Sequence, residues 1–153
     1  MRVIVQVVEK SSVLIKDNNI KNEIGKGYNL LVGFTHSDTM KIIENMANKI
    51  TNLRVITDSN GKMNLSIKDT NGEILSISQF TLYADARKGN RPGFTEAMAP
   101  DEATKMYDYF NKCLIDNGLI VKVGEFQSDM LVEIANVGPT TIILDSNELN
   151  FNK

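Results

Sequence analysis

The chain has 153 residues, 42% of them hydrophobic and 24% charged, with a formal net charge of −2. These values favour one folded core and disfavour disorder, fibrous repeats and broad nonspecific nucleic-acid binding. A single cysteine, Cys113, and a single histidine, His36, exclude an internal disulfide, a Cys-x-x-Cys pair and an imidazole-rich zinc site.

No run approaches the ~20 apolar residues that cross a bilayer. The first ten residues alternate like a strand and do not follow a secretory pattern, so the expected location is the cytoplasm. Residues 2–8 and 12–16 are β-branched runs, and Asp17, Asn18 and Asn19 supply turn chemistry after the second, which together suggest an opening hairpin. Gly25 and Gly27 precede a third apolar run over residues 28–34.

A helix is expected over residues 39–52, with Ser37 and Asp38 as N-cap candidates and Ile42, Ile43, Met46, Ala47 and Ile50 on its buried face. Asn60-Gly61 and Asn71-Gly72 are hairpin-type dipeptides, and residues 73–82 read as one long strand. The second helix opens at Pro100 and stops at Asn117-Gly118, with Ala103, Met106, Tyr107, Phe110, Cys113 and Leu114 on one stripe. Strands over residues 119–123, 130–135 and 141–144 follow, with Gly138-Pro139 forced into the last link. The expected architecture is one α+β domain spanning residues 1–153, a curved, mostly antiparallel, barrel-like sheet covered by two helices.

Conventional catalytic machinery is scarce. His36 lies between a strand and a helix start with no nucleophile signature beside it, and Cys113 falls on an apolar stripe where a buried, inert thiol is expected. Three local strings stand out. Ser78-Gln79-Phe80-Thr81 closes a strand. Asn136-Val137-Gly138-Pro139-Thr140-Thr141 links two strands. Residues 87–94 hold Arg87, Lys88 and Arg91 within five positions. Taken singly, these are a half-buried strand, a tight turn and a solvated loop.

Together and in this order, the strings resemble the D-aminoacyl-tRNA deacylase family, which is marked by Ser-Gln-Phe-Thr and, nearer the carboxyl end, Asn-x-Gly-Pro-x-Thr. Asn52-Leu53-Arg54, Gly61-Lys62-Met63-Asn64, Lys88-Gly89, Arg91-Pro92 and Asp145-Ser146 are similar to family text as well. The resemblance implies a cytoplasmic homodimer that hydrolyses the ester of D-aminoacyl-tRNA without a metal, a cofactor, a membrane or DNA. Ser78, Gln79, Phe80 and Thr81 would form the catalytic floor. Gly138 and Pro139, entering from the partner subunit with a cis peptide, would exclude L-amino acids, supported by Asn136, Thr141 and Met130. Lys88 and Arg91 would touch the tRNA.

Two routes to hydrolysis remain open. Backbone N–H groups near Phe80 and Thr81 hold the oxyanion while the substrate's 2′-hydroxyl assists water, or Thr81 attacks as a nucleophile, which would need an adjacent base. A nucleic-acid-binding module and a hydrolase of small D-amino acid esters are the alternative functions. The chain departs from family text at Val7, where an arginine is expected to hold the Gly-Pro turn, and at Gln127-Ser128, Val137 and Thr140. These departures bear on chiral selection, since none touches Ser78, Gln79, Phe80, Thr81, Gly138 or Pro139.

Overall fold

A computed structural model of the chain describes residues 1–151. Its first strand, β1 (Arg2–Ile15), is one continuous element, where the sequence suggested two strands of a hairpin. Glu9 and Lys10 offer no turn chemistry, and the register slips there instead. This bulge changes which alternate residues face inward, so Val3 and Val5 enter one core while Val8 and Val13 enter another. The real hairpin partner is β2 (Ile20–Ile24), reached through Asn19 at φ 55°.

On the same side of β1 lies β3 (Gly27–Gly33), antiparallel to it. Beyond β3 the chain forms α1 (Met40–Asn52), then a small hairpin of β4 (Ile56–Thr57) and β5 (Met63–Leu65) around Asn60-Gly61. Asn71-Gly72 makes no hairpin, because β6 (Glu73–Ser78) goes on to pair with β3 in parallel. After a 3₁₀ turn (Phe80–Tyr83), α2 (Pro100–Asp116) leads to β7 (Ile120–Val123), parallel to β6. The last strand, β8 (Met130–Asp145), runs antiparallel along β1. The sheet is therefore mixed, with its parallel arm β3–β6–β7 arising where helices carry the chain back across one face.

Both helices cover that face. Ile43, Met46, Ala47 and Ile50 of α1 and Tyr107, Phe110 and Leu114 of α2 close over Val3, Val5, Tyr28, Leu30 and Ile74. The α1 cap is Thr39, whose hydroxyl accepts from the Ile42 N–H at 3.3 Å, and neither Ser37 nor Asp38 serves. Asp38 is engaged elsewhere: its buried carboxylate pairs with the Met1 ammonium and accepts from the Thr35 N–H at 2.8 Å. Gly118, at φ +89°, ends α2.

The expected strand over residues 73–82 stops at Ser78. Val32 and Ser78 are the last paired residues, after which β3 ends and Leu82 N–H closes back on the Gln79 carbonyl. The two short strands expected around Gly138-Pro139 belong to one element, β8. Its pairing with β1 skips from Asn136 to Thr141, so residues 137–140 loop out of the ladder.

Candidate active site

A cavity of about 610 Å³ opens at the carboxyl ends of the parallel strands β3 and β6, lined by Gly33, Ser78, Gln79 and Phe80. Met98 and Ala103 form part of one wall, and residues 126–130 form the other. Ser78, Gln79, Phe80 and Met130 of the sequence-derived set therefore meet at one site. Thr81 is exposed on the adjoining 3₁₀ turn and joins the set through Gln79, whose side-chain amide donates to the Thr81 hydroxyl.

In that turn the Leu82 N–H bonds to Gln79 and the Ala84 N–H to Thr81. The Phe80 and Thr81 N–H groups come first and have no carbonyl within reach inside the turn, and no side chain among the described residues caps them. Gly33 lies directly under the turn. A Cβ there would stand 3.0 Å from the Gln79 carbonyl oxygen and 3.1 Å from Leu82 Cβ. Phe80 and Phe94, both more than one-third exposed, meet edge to face at 5.0 Å on the cavity rim.

Phe94 closes the basic loop, which is tied off by paired backbone bonds between Asp85 and Gly93 at 2.8 and 2.9 Å. The Asp85 carboxylate accepts from the Arg87 backbone and guanidinium, which holds its carboxyl well below the usual carboxylate range. Arg87 is thus neutralised within the loop. Lys88 and Arg91 are exposed and enter no ion pair among the described residues.

Asn136, Gly138, Pro139 and Thr141 do not line this cavity. Gly138-Pro139 is a cis peptide at the exposed tip of the β8 excursion. Asn136 spans the base of this turn. Its side-chain amide donates to the carbonyls of Val7 at 2.8 Å and Thr140 at 3.0 Å, and its oxygen accepts from the Thr141 hydroxyl at 3.2 Å. The backbone of Val7 thus contacts the turn network where an arginine side chain was expected. Gly138 has φ +112°, and a Cβ there would lie 2.7 Å from Thr140 Oγ1 and 2.9 Å from Thr140 N, so a side chain has no room.

The other candidates fall away. His36 Nε2 sits 2.7 Å from the Thr95 carbonyl oxygen, which ties the ring to a surface loop. Burial pushes the Cys113 thiol up, disfavouring a thiolate. No metal-binding cluster of acidic, histidine or cysteine side chains occurs among the described residues. Sequence reasoning gave no site role to Phe94, which closes the basic string, or to Phe126, which lies outside all three strings, and it named Gln127, which lines the cavity at φ +62°, only as a departure from family text.

The sequence matches the family described as D-Tyr-tRNA(Tyr) deacylase over residues 4–145. It is 52% identical to a D-aminoacyl-tRNA deacylase of Staphylococcus carnosus and 53% identical to one of Staphylococcus saprophyticus, each over 97% of both chains. Among solved structures, a c-Myc DNA Unwinding Element Binding Protein superposes with TM-score 0.87 at 39% identity, covering 95% of this chain and 98% of its own. A probable eukaryotic D-amino acid tRNA deacylase superposes with TM-score 0.81 at 17% identity, covering 94% and 97%, a likeness of fold. With the family matched over nearly all of its length and relatives half identical to it, the chain belongs to the D-Tyr-tRNA(Tyr) deacylase family.

Proposed function

We propose that the chain hydrolyses the ester of D-aminoacyl-tRNA as a cytoplasmic homodimer, using its backbone in place of a reactive side chain. The observation that carries this reading is the pair of uncapped N–H groups, Phe80 and Thr81, beside the cavity floor. Donors of this kind stabilise the oxyanion of a tetrahedral intermediate, and one is typically worth about 10²- to 10³-fold in rate. The Thr81 hydroxyl accepts from Gln79, and no base is bonded to it among the described residues. A nucleophile needs such a base. Attack by water, assisted by the substrate's own 2′-hydroxyl, therefore fits this geometry better.

Chiral selection falls to Gly138-Pro139 of a second copy. The turn is exposed and lies outside the chain's own cavity, and among the described residues β8 pairs with β1 alone while exposing Leu131, Val137 and Ile143. A second copy seated along this strand brings its turn to the first copy's floor. There the backbone occupies the space an L side chain needs, while the substrate's ammonium is fixed by carbonyls. Rejection is steric, so glycyl-tRNA is hydrolysed too. Lys88 and Arg91 supply local cations for the RNA backbone despite the acidic net charge.

A paired deacylation assay of D- and L-tyrosyl-tRNA tests the reading. Rapid loss of the D ester alone supports it, and equal rates or none overturn it. A D-tyrosyl-tRNA ending in 2′-deoxyadenosine should react slowly, and full activity on it eliminates the RNA-assisted step.

The likeness to a DNA-unwinding-element-binding protein favours a second reading, duplex DNA binding through Lys88 and Arg91. The net charge of −2 opposes it. Tight, saturable duplex binding at physiological salt, in a chain inactive on D-tyrosyl-tRNA, would establish it.

A further inference from the structure

We propose that Arg2 is a positioning residue for ester cleavage, holding the 3₁₀ turn that carries the Phe80 and Thr81 N–H groups. The inference rests on the reading above, in which those groups bind the developing oxyanion.

Arg2 is paired on β1 with Gly33 of β3 on one side and Asp145 of β8 on the other. Its side chain reaches the turn from behind. Nη1 donates to the Leu82 carbonyl at 2.6 Å, while Nε and Nη2 lie 3.0 and 2.9 Å from one carboxylate oxygen of Asp145. The guanidinium carbon stands 4.8 Å from the centroid of the Tyr83 ring, which is itself buried.

Each contact has a physical role. The carbonyls at the end of a helical turn lack partners within it, and a cation there satisfies one and favours the local dipole. Charge-assisted bonds are about twice as strong as neutral ones, and Asp145 fixes the planar fork so that little side-chain freedom is lost on bonding Leu82. Among the described residues, Arg2 is the side chain that bonds the backbone of residues 79–83.

Gly33 supports the turn from below and Arg2 anchors its carboxyl end, leaving the amino end free to present Phe80 and Thr81. Oxyanion donors act on charge that develops only in the transition state, so a loosened turn lowers kcat more than it raises KM.

The test compares wild type, Arg2→Met and Arg2→Lys on D-tyrosyl-tRNA, with Tm measured alongside. Arg2→Met keeps most of the aliphatic stem and removes the fork. Its kcat should fall about tenfold with KM within about twofold, since small misplacements are expensive in rate. Arg2→Lys should recover part of the loss, because an ammonium can reach one carbonyl without also forking onto Asp145.

A lowered Tm with wild-type kcat makes Arg2 merely structural and overturns the proposal, as does an equal change in kcat and KM. If Arg2→Met does not fold, Arg2→Lys carries the test: a fall of about threefold in kcat alone supports the proposal, and no change refutes it. A wild-type chain inactive on D-tyrosyl-tRNA sinks the deacylase reading by itself. The amide resonances of Phe80 and Thr81 still separate the two claims, because Arg2→Met must shift them if Arg2 holds the turn.

Discussion

The two turns on which the proposed function rests are built in opposite ways. The 3₁₀ turn of residues 80–83 sits on the sheet, with the backbone of Gly33 beneath it and Arg2 at its end. The turn at Gly138-Pro139 projects from β8 with no ladder bonds to β1 over residues 137–140, and its shape depends on Asn136 and on the absence of a side chain at Gly138. A buried framework shares its restraint among many contacts. An exposed excursion concentrates restraint in one or two residues, and substitution there should be felt more.

The sharpest way to break this comparison is Gly138→Ala. Its methyl group would meet backbone as well as side-chain atoms of Thr140, at a φ that L residues rarely adopt. The turn must move, and kcat/KM on D-tyrosyl-tRNA should drop about 100-fold. Near-normal kinetics would mean the turn is not held as described.

Asn136→Ala comes next. It removes two bonds to carbonyls, each worth about 1 kcal/mol net, and should cut the preference for D- over L-tyrosyl-tRNA about tenfold. Measuring both esters on the same preparation separates lost discrimination from lost activity. In the framework-held turn, Thr81→Val should cost less than about tenfold in kcat, whereas removing a true nucleophile would abolish turnover. A dead Thr81→Val enzyme with an unchanged Tm would reinstate the covalent route.

The smallest expected effects lie in the basic loop. Lys88→Ala and Arg91→Ala should each weaken tRNA binding a few-fold and reduce the slope of log K against log salt by about 1. Arg87→Ala should change that slope less, since Asp85 already neutralises its charge.

Much of this contrast was legible in the sequence. Helical spacing identified α1 and α2 and their buried faces, and Gly138-Pro139 could only be a turn. The basic loop was visible as well, although the cancellation of Arg87 by Asp85 was not.

What local pattern could not carry was information from distant chain. Gln79 and Thr81 alternate with Phe80 and Leu82 as in a longer strand, yet the strand ends because β3 ends. Three side-chain oxygens compete to cap α1, and Asp38 loses because an ammonium 37 residues earlier takes its carboxylate. The parallel direction of β6 and β7 is likewise invisible to a period-two pattern, which is the same whichever way a strand runs. Arg2 looked like an ordinary first charged residue, and its grip on Leu82 exists only once β1, β3 and β8 lie side by side.

The placement of Gly138-Pro139 outside its own cavity has a consequence for genetics. If each site takes its floor from one chain and its gate from another, two defects in different chains can complement. Mixing a gate-defective subunit with a floor-defective one yields hybrids in which one site collects both faults and the other is whole. Random reassortment then restores about a quarter of full turnover from two inactive parents.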